Sequence, residues 1–391
     1  MHIAILNAGQ PTDYLYGLVT GLASNSSLTI DVIDSDASQN LFTNIPSVRH
    51  YNFRGDNLSP QSFLTKTFRI LRYYFRLLSY VPFSKARIFH IQWDNSIYLF
   101  DRTILLLYYR MFGKKIVYTV HNIDRQFRDT RHSSLYNRIS LYCGYHLAHR
   151  LIVHTQKMKE MLCDSFSLSP EKVAVIPHGI NVRVQYTGIS MEEARAHLSI
   201  SKTAKTLLFF GMIDRYKGLD IAFDAYAHIV NSDSSFFFLI AGKPKRSDGY
   251  FDSLTQFAKA NIPAEQIRFD AKFIPSEEVE YYFAAADCVI LPYRSIYQSG
   301  IIFLAYRFGV PLIATDVGSF REDIQDGITG IVCKPEDPDE LAHAIQRFFA
   351  SELYLQRETT RQSIREMAHS RYSWKTISEK TIELYQSLCQ Q

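Results

Sequence analysis

Short, unbroken apolar runs that end in Gly, Asn or His recur along the first half of this chain. They are HIAILN (2–7), LTIDVI (28–33), ARIFHIQW (86–93), KKIVYTVHN (114–122), RLIVHT (150–155) and VAVIPHG (173–179), with helix-like segments between them. A strand with one wet face alternates apolar and polar residues, whereas runs that are apolar throughout belong to parallel strands covered by helices on both faces. The series therefore predicts βαβ units wound into a parallel sheet. After a polar interval around 181–202 the pattern restarts with TLLFFG (206–211), FFFLIAG (236–242), IRFDAKF (267–273), CVILPY (288–293), PLIATDVG (311–318) and TGIVCK (329–334). Two doubly wound α/β domains follow, 1–183 and 184–372, both of ordinary domain size. Helices are predicted around 337–350, 352–369 and 374–388, and the last segment, about 373–391, is free to return onto the first domain.

Composition narrows the function classes. The five cysteines are odd in number and scattered through apolar segments, which supports neither a disulfide framework nor a zinc site and points to a reducing compartment. The start, MHIAILNAG, enters a strand with no basic leader, and no apolar stretch reaches the ~20 residues that span a bilayer, so a cytoplasmic protein is expected. Charge is polarised: residues 1–183 hold 21 Lys and Arg against 12 Asp and Glu, and residues 184–391 hold 22 against 27. A basic half faces nucleic acid, an anionic membrane or an anionic substrate, and with no nucleic-acid-binding motif present the first of these is set aside.

In open α/β sheets ligands bind beyond the carboxyl ends of the strands, and two such domains are expected to turn those ends toward a cleft. Candidate residues are therefore sought at strand ends. KTLLFFGMIDRYKGLD (205–220) puts a glycine turn at Gly211 and two cations, Arg215 and Lys217, ahead of a helix, an arrangement that suits a diphosphate. Lys243 follows the strand ending AG (241–242). Phe273 and Ile274 sit in a loop able to hold a nucleobase, ahead of a helix that Ser276 is expected to cap. Gln298, Ser299 and Gly300 open another helix, where amides can cradle a phosphate or hexose. In the first domain Gly9 lies in a small-residue turn, and His121 ends a strand where it can hydrogen-bond a sugar hydroxyl, move a proton or serve the fold alone. His178, in a Pro-His-Gly turn, equally suits a hinge.

Taken in order, FFG…YKGLD, LIAGKP, FIPSEEVEYYFAAADCVILPY, QSGIIFLAYRFGVPLIATDVG and DGITGIVCKPEDPDELAHAI resemble the nucleotide-sugar-dependent glycosyltransferases of family 4, which have the GT-B fold. The match is close over 205–349 and weaker through TVHN and IPHGIN. The resemblance implies a hexosyltransferase that takes a UDP- or GDP-sugar and retains the anomeric configuration. Lys217 would neutralise the donor diphosphate, His121 would face the transferred sugar and Gly9 would lie near the donor, with no obligatory metal. It further implies a glycan acceptor, in many members lipid-linked and part of surface polysaccharide synthesis.

Two positions depart from the family pattern. Met212 stands where Arg usually follows the glycine, with Arg215 three residues later, and the two family glutamates fall on Ile296 and Leu304. The departures keep two other readings open: a sugar-nucleotide epimerase or hydrolase of the same fold, and a non-catalytic binding subunit. Finally, FLTKTFRILRYYFRLLSYVPF (63–83) spaces Lys66, Arg69, Arg72 and Arg76 at near-helical intervals, with Ile70, Leu71, Tyr74, Leu77 and Leu78 expected on the opposite side. Such a helix either covers the sheet with a solvated basic face or lies on the anionic inner surface of a membrane.

Overall fold

A computed structural model describes every residue except 9–11, 57–61, 96, 124–134, 246–248 and 391. The chain divides into two compact units, Met1–Gly179 with Ser373–Gln391, and Ile180–Tyr372.

Unit 1 carries β1 (His2–Asn7), α1 (Thr12–Ala23), β2 (Thr29–Asp34), β3 (Val48–Asn52), α2 (Phe63–Phe83), β4 (Ile88–Trp93), α3 (Leu105–Met111), β5 (Lys115–Thr119), α4 (Leu135–Leu147), β6 (Arg150–Val153), α5 (Gln156–Phe166) and β7 (Val173–Val175). The seven strands form one parallel sheet in the order β3-β2-β1-β4-β5-β6-β7. Ile3, Ile5, Ile30, Val32, Ile88 and Phe89 are fully buried, as two helix-covered faces require. β3 is absent from the apolar runs of the sequence because it is an edge strand, VRHYN, whose residues are only partly buried.

Unit 2 carries α6 (Met191–His197), β8 (Lys205–Phe210), α7 (Leu219–Val230), β9 (Phe236–Ala241), α8 (Tyr250–Asn261), β10 (Ile267–Asp270), α9 (Val279–Ala285), β11 (Cys288–Leu291), α10 (Gly300–Arg307), β12 (Leu312–Thr315), α11 (Phe320–Asp323), β13 (Gly330–Cys333), α12 (Pro338–Ala350), α13 (Glu352–Leu355) and α14 (Arg357–Tyr372). Its six parallel strands run β10-β9-β8-β11-β12-β13. Successive residues of β8 enter separate cores on the two faces, Leu208 and Phe210 on one and Leu207 and Phe209 on the other. That period of two, with both sides dry, is why the strand reads as a solid apolar run. In both sheets the strand order reverses beside the first strand, between β1 and β4 and between β8 and β11, which marks where a ligand crevice opens.

The last helix, α15 (Trp374–Cys389), packs on α1 within unit 1. Three glycines make room for its first residue: a Cβ at Gly17 or Gly179 would fall 2.0 or 2.3 Å from the Trp374 ring, and one at Gly21 would fall 2.7 Å from the Trp374 carbonyl oxygen. Farther along, Tyr385 reaches the fully buried His90, with Oη 2.5 Å from Nδ1.

Two expectations need correction. Ser276 is not a cap: a turn from Pro275, closed by the Glu278 amide donating to the Pro275 carbonyl, precedes α9, and Glu278 stands at its N-cap. In α2 the expected division holds for Tyr74 and Leu77, which are buried, and for Ile70 and Leu78, which are half-buried, but not for Leu71. Tyr73, Tyr74, Leu77 and Val81 face the sheet, whereas Leu71 is exposed together with Phe68 and Phe75 beside the basic residues.

Candidate active site

In unit 2 the reversal between β8 and β11 brings together the turn after β8 and the loop after β11. Gly211 has φ +99°, a conformation that side chains with a Cβ rarely adopt, and a Cβ there would lie 2.9 Å from Lys217 Nζ. The glycine thus leaves the space that the Lys217 ammonium crosses. Lys217 is buried, with its ammonium 5.8 Å from the Phe209 ring centre and 5.5 Å from that of Tyr293. Gly218, at φ +64°, lets the turn pass Pro292, since a Cβ would meet the Pro292 carbonyl at 2.0 Å. The turn is then clamped from the β11 side. Arg294 forks onto both Asp220 oxygens at 2.8 Å and donates to the Arg215 carbonyl at 3.0 Å, and Tyr250 donates to Asp220 at 2.7 Å. Burial works against the Asp220 charge, but the Arg294 and Tyr250 hydrogen bonds outweigh it and hold the carboxyl below its usual range.

The other candidates of this unit divide. Arg215 is exposed over the Tyr250 ring at 5.0 Å, and Met212, on the same turn, is exposed as well. Lys243 is exposed and its carbonyl receives the Ile213 amide at 3.0 Å, so its loop runs beside the Gly211 turn. Ser299 caps α10 and Gly300 opens to solvent, with nothing within 4 Å of a Cβ there. Gln298 is buried and donates to Asp323 at 3.1 Å. Burial pushes Asp323 up to about 7, against the pull of the Gln298 and Ser319 hydrogen bonds. Phe273 is exposed, but Ile274 belongs to the apolar core and offers a ligand no side chain. Ile296 and Leu304 lie in that same core.

In unit 1, Gly9 lies outside the described residues. Asn7, at the end of β1, is buried and donates to Asp34 at 3.0 Å. His121 does not stand alone: His154 and His178 follow the two neighbouring strands β6 and β7, and Tyr14 lies 4.7–5.4 Å from all three rings. The sequence carries this signal as three adjacent strands each followed by a histidine, in TVHN, IVHT and IPHG, but single motifs do not show that β5, β6 and β7 are side by side. Trp93 stacks on His121 at 4.8 Å and 11°.

The order of protons follows from the partners. His154 Nδ1 lies 3.0 Å from the Ile176 carbonyl, which can only accept, so this nitrogen carries the proton. The His154 Nε2 lone pair then accepts from His121 Nδ1, 3.1 Å away. That leaves a lone pair on His121 Nε2, 3.1 Å from the Gln92 carboxamide. The order is satisfied when the amide turns its NH2 to His121 and its oxygen to His90, whose Nδ1 accepts from Tyr385. Burial pushes His154 down to about 4 and His90 and His178 to about 3, and it holds His121 well below the usual range. His121 is thus neutral, with both nitrogens engaged by protein; it presents a ring edge and a fixed backbone rather than a free base. A cavity opens beside it, lined by Trp93, Asp94, Tyr98, Arg102 and Asn122. There Asp94 accepts from Arg102 at 2.6 Å and from Tyr118 at 2.5 Å.

Comparison with known proteins agrees with both units. Residues 14–184 match the family model Glycosyltransferase Family 4, and residues 190–370 match Glycosyl transferases group 1. An uncharacterized glycosyltransferase of Methanocaldococcus jannaschii is 26% identical over 241 residues, 60% of this chain and 59% of its own length. A D-inositol 3-phosphate glycosyltransferase of Corynebacterium diphtheriae is 25% identical over 321 residues, 78% of this chain and 73% of its own. The matched part spans 59% of the length of the Methanocaldococcus protein, and 48% and 49% of the D-inositol 3-phosphate glycosyltransferases of Catenulispora acidiphila and Frankia alni. Among solved structures, the sucrose-phosphate synthase of Thermosynechococcus elongatus superposes with a TM-score of 0.79 at 19% identity, covering 99% of each chain. Anabaena HepE in complex with UDP superposes with a TM-score of 0.75 at 17% identity, covering 99% of this chain and 100% of its own. At such identities the superpositions speak for the fold. With two parallel Rossmann-like sheets and a glycosyltransferase model matched in each half, the chain has the GT-B fold and resembles the family 4 glycosyltransferases.

Proposed function

We propose that this protein transfers a hexose from a UDP- or GDP-sugar to a sugar hydroxyl of a lipid-linked glycan, with retention of configuration and without a metal. The observation that carries this reading is the buried Lys217 ammonium drawn across Gly211 at the switch point of the unit 2 sheet. A fixed cation in a site that excludes water stabilises the charge that grows on a departing diphosphate far better than a solvated one. Arg215 on the same turn stands in for the arginine missing at Met212, and the open α10 start at Ser299 and Gly300 offers amides to the phosphates. Lys243 and Phe273 flank the donor, the latter through its exposed ring. The UDP and UDP-glucose complexes of Anabaena HepE support a uridine donor. In unit 1 the cavity beside His121 would hold the sugar acceptor, with the neutral imidazole as a wall rather than a proton carrier.

The apolar Ile296 and Leu304 favour a second reading, a subunit that binds a nucleotide without turnover. One experiment separates the two: thermal unfolding with UDP, GDP and ADP and their sugars, followed by mass analysis of the same mixtures for released nucleotide. Ligand bound only by the folded state raises the transition by mass action. Stabilisation with slow nucleotide release that an acceptor glycan accelerates is the expected result. Stabilisation without release under any acceptor supports the binding subunit, and release that acceptors never accelerate supports a hydrolase.

A further inference from the structure

The outward surface of unit 1 over α2, α3 and α4 carries a second set of apolar stripes. Leu64, Phe68, Leu71 and Phe75 follow helical spacing on α2, and each is more than 60% exposed. On the π-turn Phe100–Ile104 and on α3, which follow β4, Ile104, Leu107 and Met111 repeat the spacing, each more than 50% exposed. Leu135, Ile139 and Tyr142 repeat it on α4, at 48% exposure or more. These helices are not outward-facing by accident of orientation, because each has already buried a different stripe: Tyr74 and Leu77, Leu106 and Tyr109, Leu141 and Tyr145.

The three helices form one layer. Tyr108 donates to the Leu78 carbonyl at 2.9 Å, joining α3 to α2, and Arg110 donates to the Leu147 carbonyl at 2.8 Å, joining α3 to α4. Arg102 ties the π-turn to Asn137 and Ser140 of α4 at 2.9 and 3.0 Å. Right-handed crossovers put the connections after β3, β4 and β5 on the same side of the sheet. The exposed stripes are therefore neighbours, an apolar surface of the kind that marks an interaction site.

Charge decides the occupant. Helices α2, α3 and α4 contain no Asp or Glu, yet they carry Lys66, Arg69, Arg72, Arg76, Arg110 and Arg138. A second copy of the chain docked by symmetry would set these cations against their own images. An anionic bilayer meets both needs at once, taking the aromatic and aliphatic side chains among its acyl chains and the cations at its headgroups. We propose that α2, α3 and α4 together form a face that inserts into the surface of an anionic membrane. This goes beyond a basic helix held by surface charge, because the apolar stripes make part of the binding independent of salt. It rests on unit 1 alone and stands or falls apart from the transfer reaction.

The test is flotation of the full chain with vesicles of phosphatidylcholine alone or with phosphatidylglycerol added, at low and high salt. The protein should float with the anionic vesicles and keep a substantial part of its binding at high salt. A triple variant, Phe68→Ser, Leu71→Ser and Phe75→Ser, should lose about 100-fold or more in partitioning at either salt, since each removes apolar area that leaves water on insertion. Arg72→Gln with Arg76→Gln should weaken binding at low salt only. All five positions are exposed, and an unchanged thermal transition with an unchanged circular dichroism spectrum shows that the variants fold. Flotation abolished by salt alone, no flotation at all, or a dimer in sedimentation that the triple variant dissolves would each overturn the proposal.

Discussion

Unit 1 should lose stability steeply below neutral pH, and the size of the loss follows from its buried imidazoles. His90, His154 and His178 have folded pKa values of about 3, 4 and 3, whereas the unfolded value is about 6.5. The sign is set by linkage: each group binds its proton only on unfolding, so its neutral form contributes full stability above about pH 6.5 and loses it as pH falls. At pH 5 the cost is about 2 kcal/mol for each group, about 6 for the three. Asp101 works the other way. Burial pushes it up to about 7 despite the Tyr74 hydrogen bond, so it takes up its proton in the folded state and returns about 2 kcal/mol between pH 7 and 5. The net loss is about 4 kcal/mol, a large share of the 5–15 kcal/mol typical of a domain. His121 shifts in the same direction and adds to it. Hydrogen exchange of unit 1 amides at pH 7, 6 and 5, corrected for intrinsic rates, reads this directly. His154→Gln should reduce the slope by about 1.4 kcal/mol per pH unit near pH 5. Protection in β5, β6 and β7 that stays level or rises between pH 7 and 5 would refute the account of a neutral imidazole chain.

Two further outcomes concern unit 2. Lys217→Met keeps the apolar stem and removes the charge; kcat should fall about 10²–10³-fold with the thermal transition retained, and turnover within a few-fold of the parent would take Lys217 out of the mechanism. Arg195→Met breaks the buried pair in which Arg195 lies 2.9 Å from Asp287, whose carboxyl burial already pushes upward. Leaving that carboxylate alone should cost about 3–5 kcal/mol in urea unfolding, and a loss below about 1 kcal/mol would show that the pair contributes little.

The interior strands were legible because both faces of each are dry, which lets apolar residues dominate the run. β3 was not legible for the converse reason: VRHYN at the edge of the sheet keeps its residues half in solvent. The Gly211 to Lys217 turn could be read locally, since glycine, cations and helix start are adjacent in sequence. The imidazole chain could not, since it depends on three strands being neighbours and on a tyrosine 295 positions away from His90. Likewise the spacing of α2 shows that it has apolar and basic positions, but not which apolar stripe the sheet takes. Packing chose Tyr73, Tyr74, Leu77 and Val81 and left Phe68, Leu71 and Phe75 outside. Ile274 illustrates a third limit: two adjacent apolar residues in one loop divide between solvent and core.

The seat that Gly17, Gly21 and Gly179 prepare for Trp374 also sets an order of events on the ribosome. Unit 1 is complete in strands once Val175 has emerged, but its α15 layer begins 199 residues later, at Trp374, after the whole of unit 2 has been made. At about 5–20 residues per second that is roughly 10–40 s in which α1 and the buried side of His90 lack their cover. Unit 2 is continuous in sequence, but its own last helix, α14, ends at Tyr372, immediately before α15 begins, so the two units receive their closing helices one after the other. The nascent chain therefore carries an open groove on α1 throughout the synthesis of unit 2, and that groove is where a chaperone or a stray apolar segment would find it.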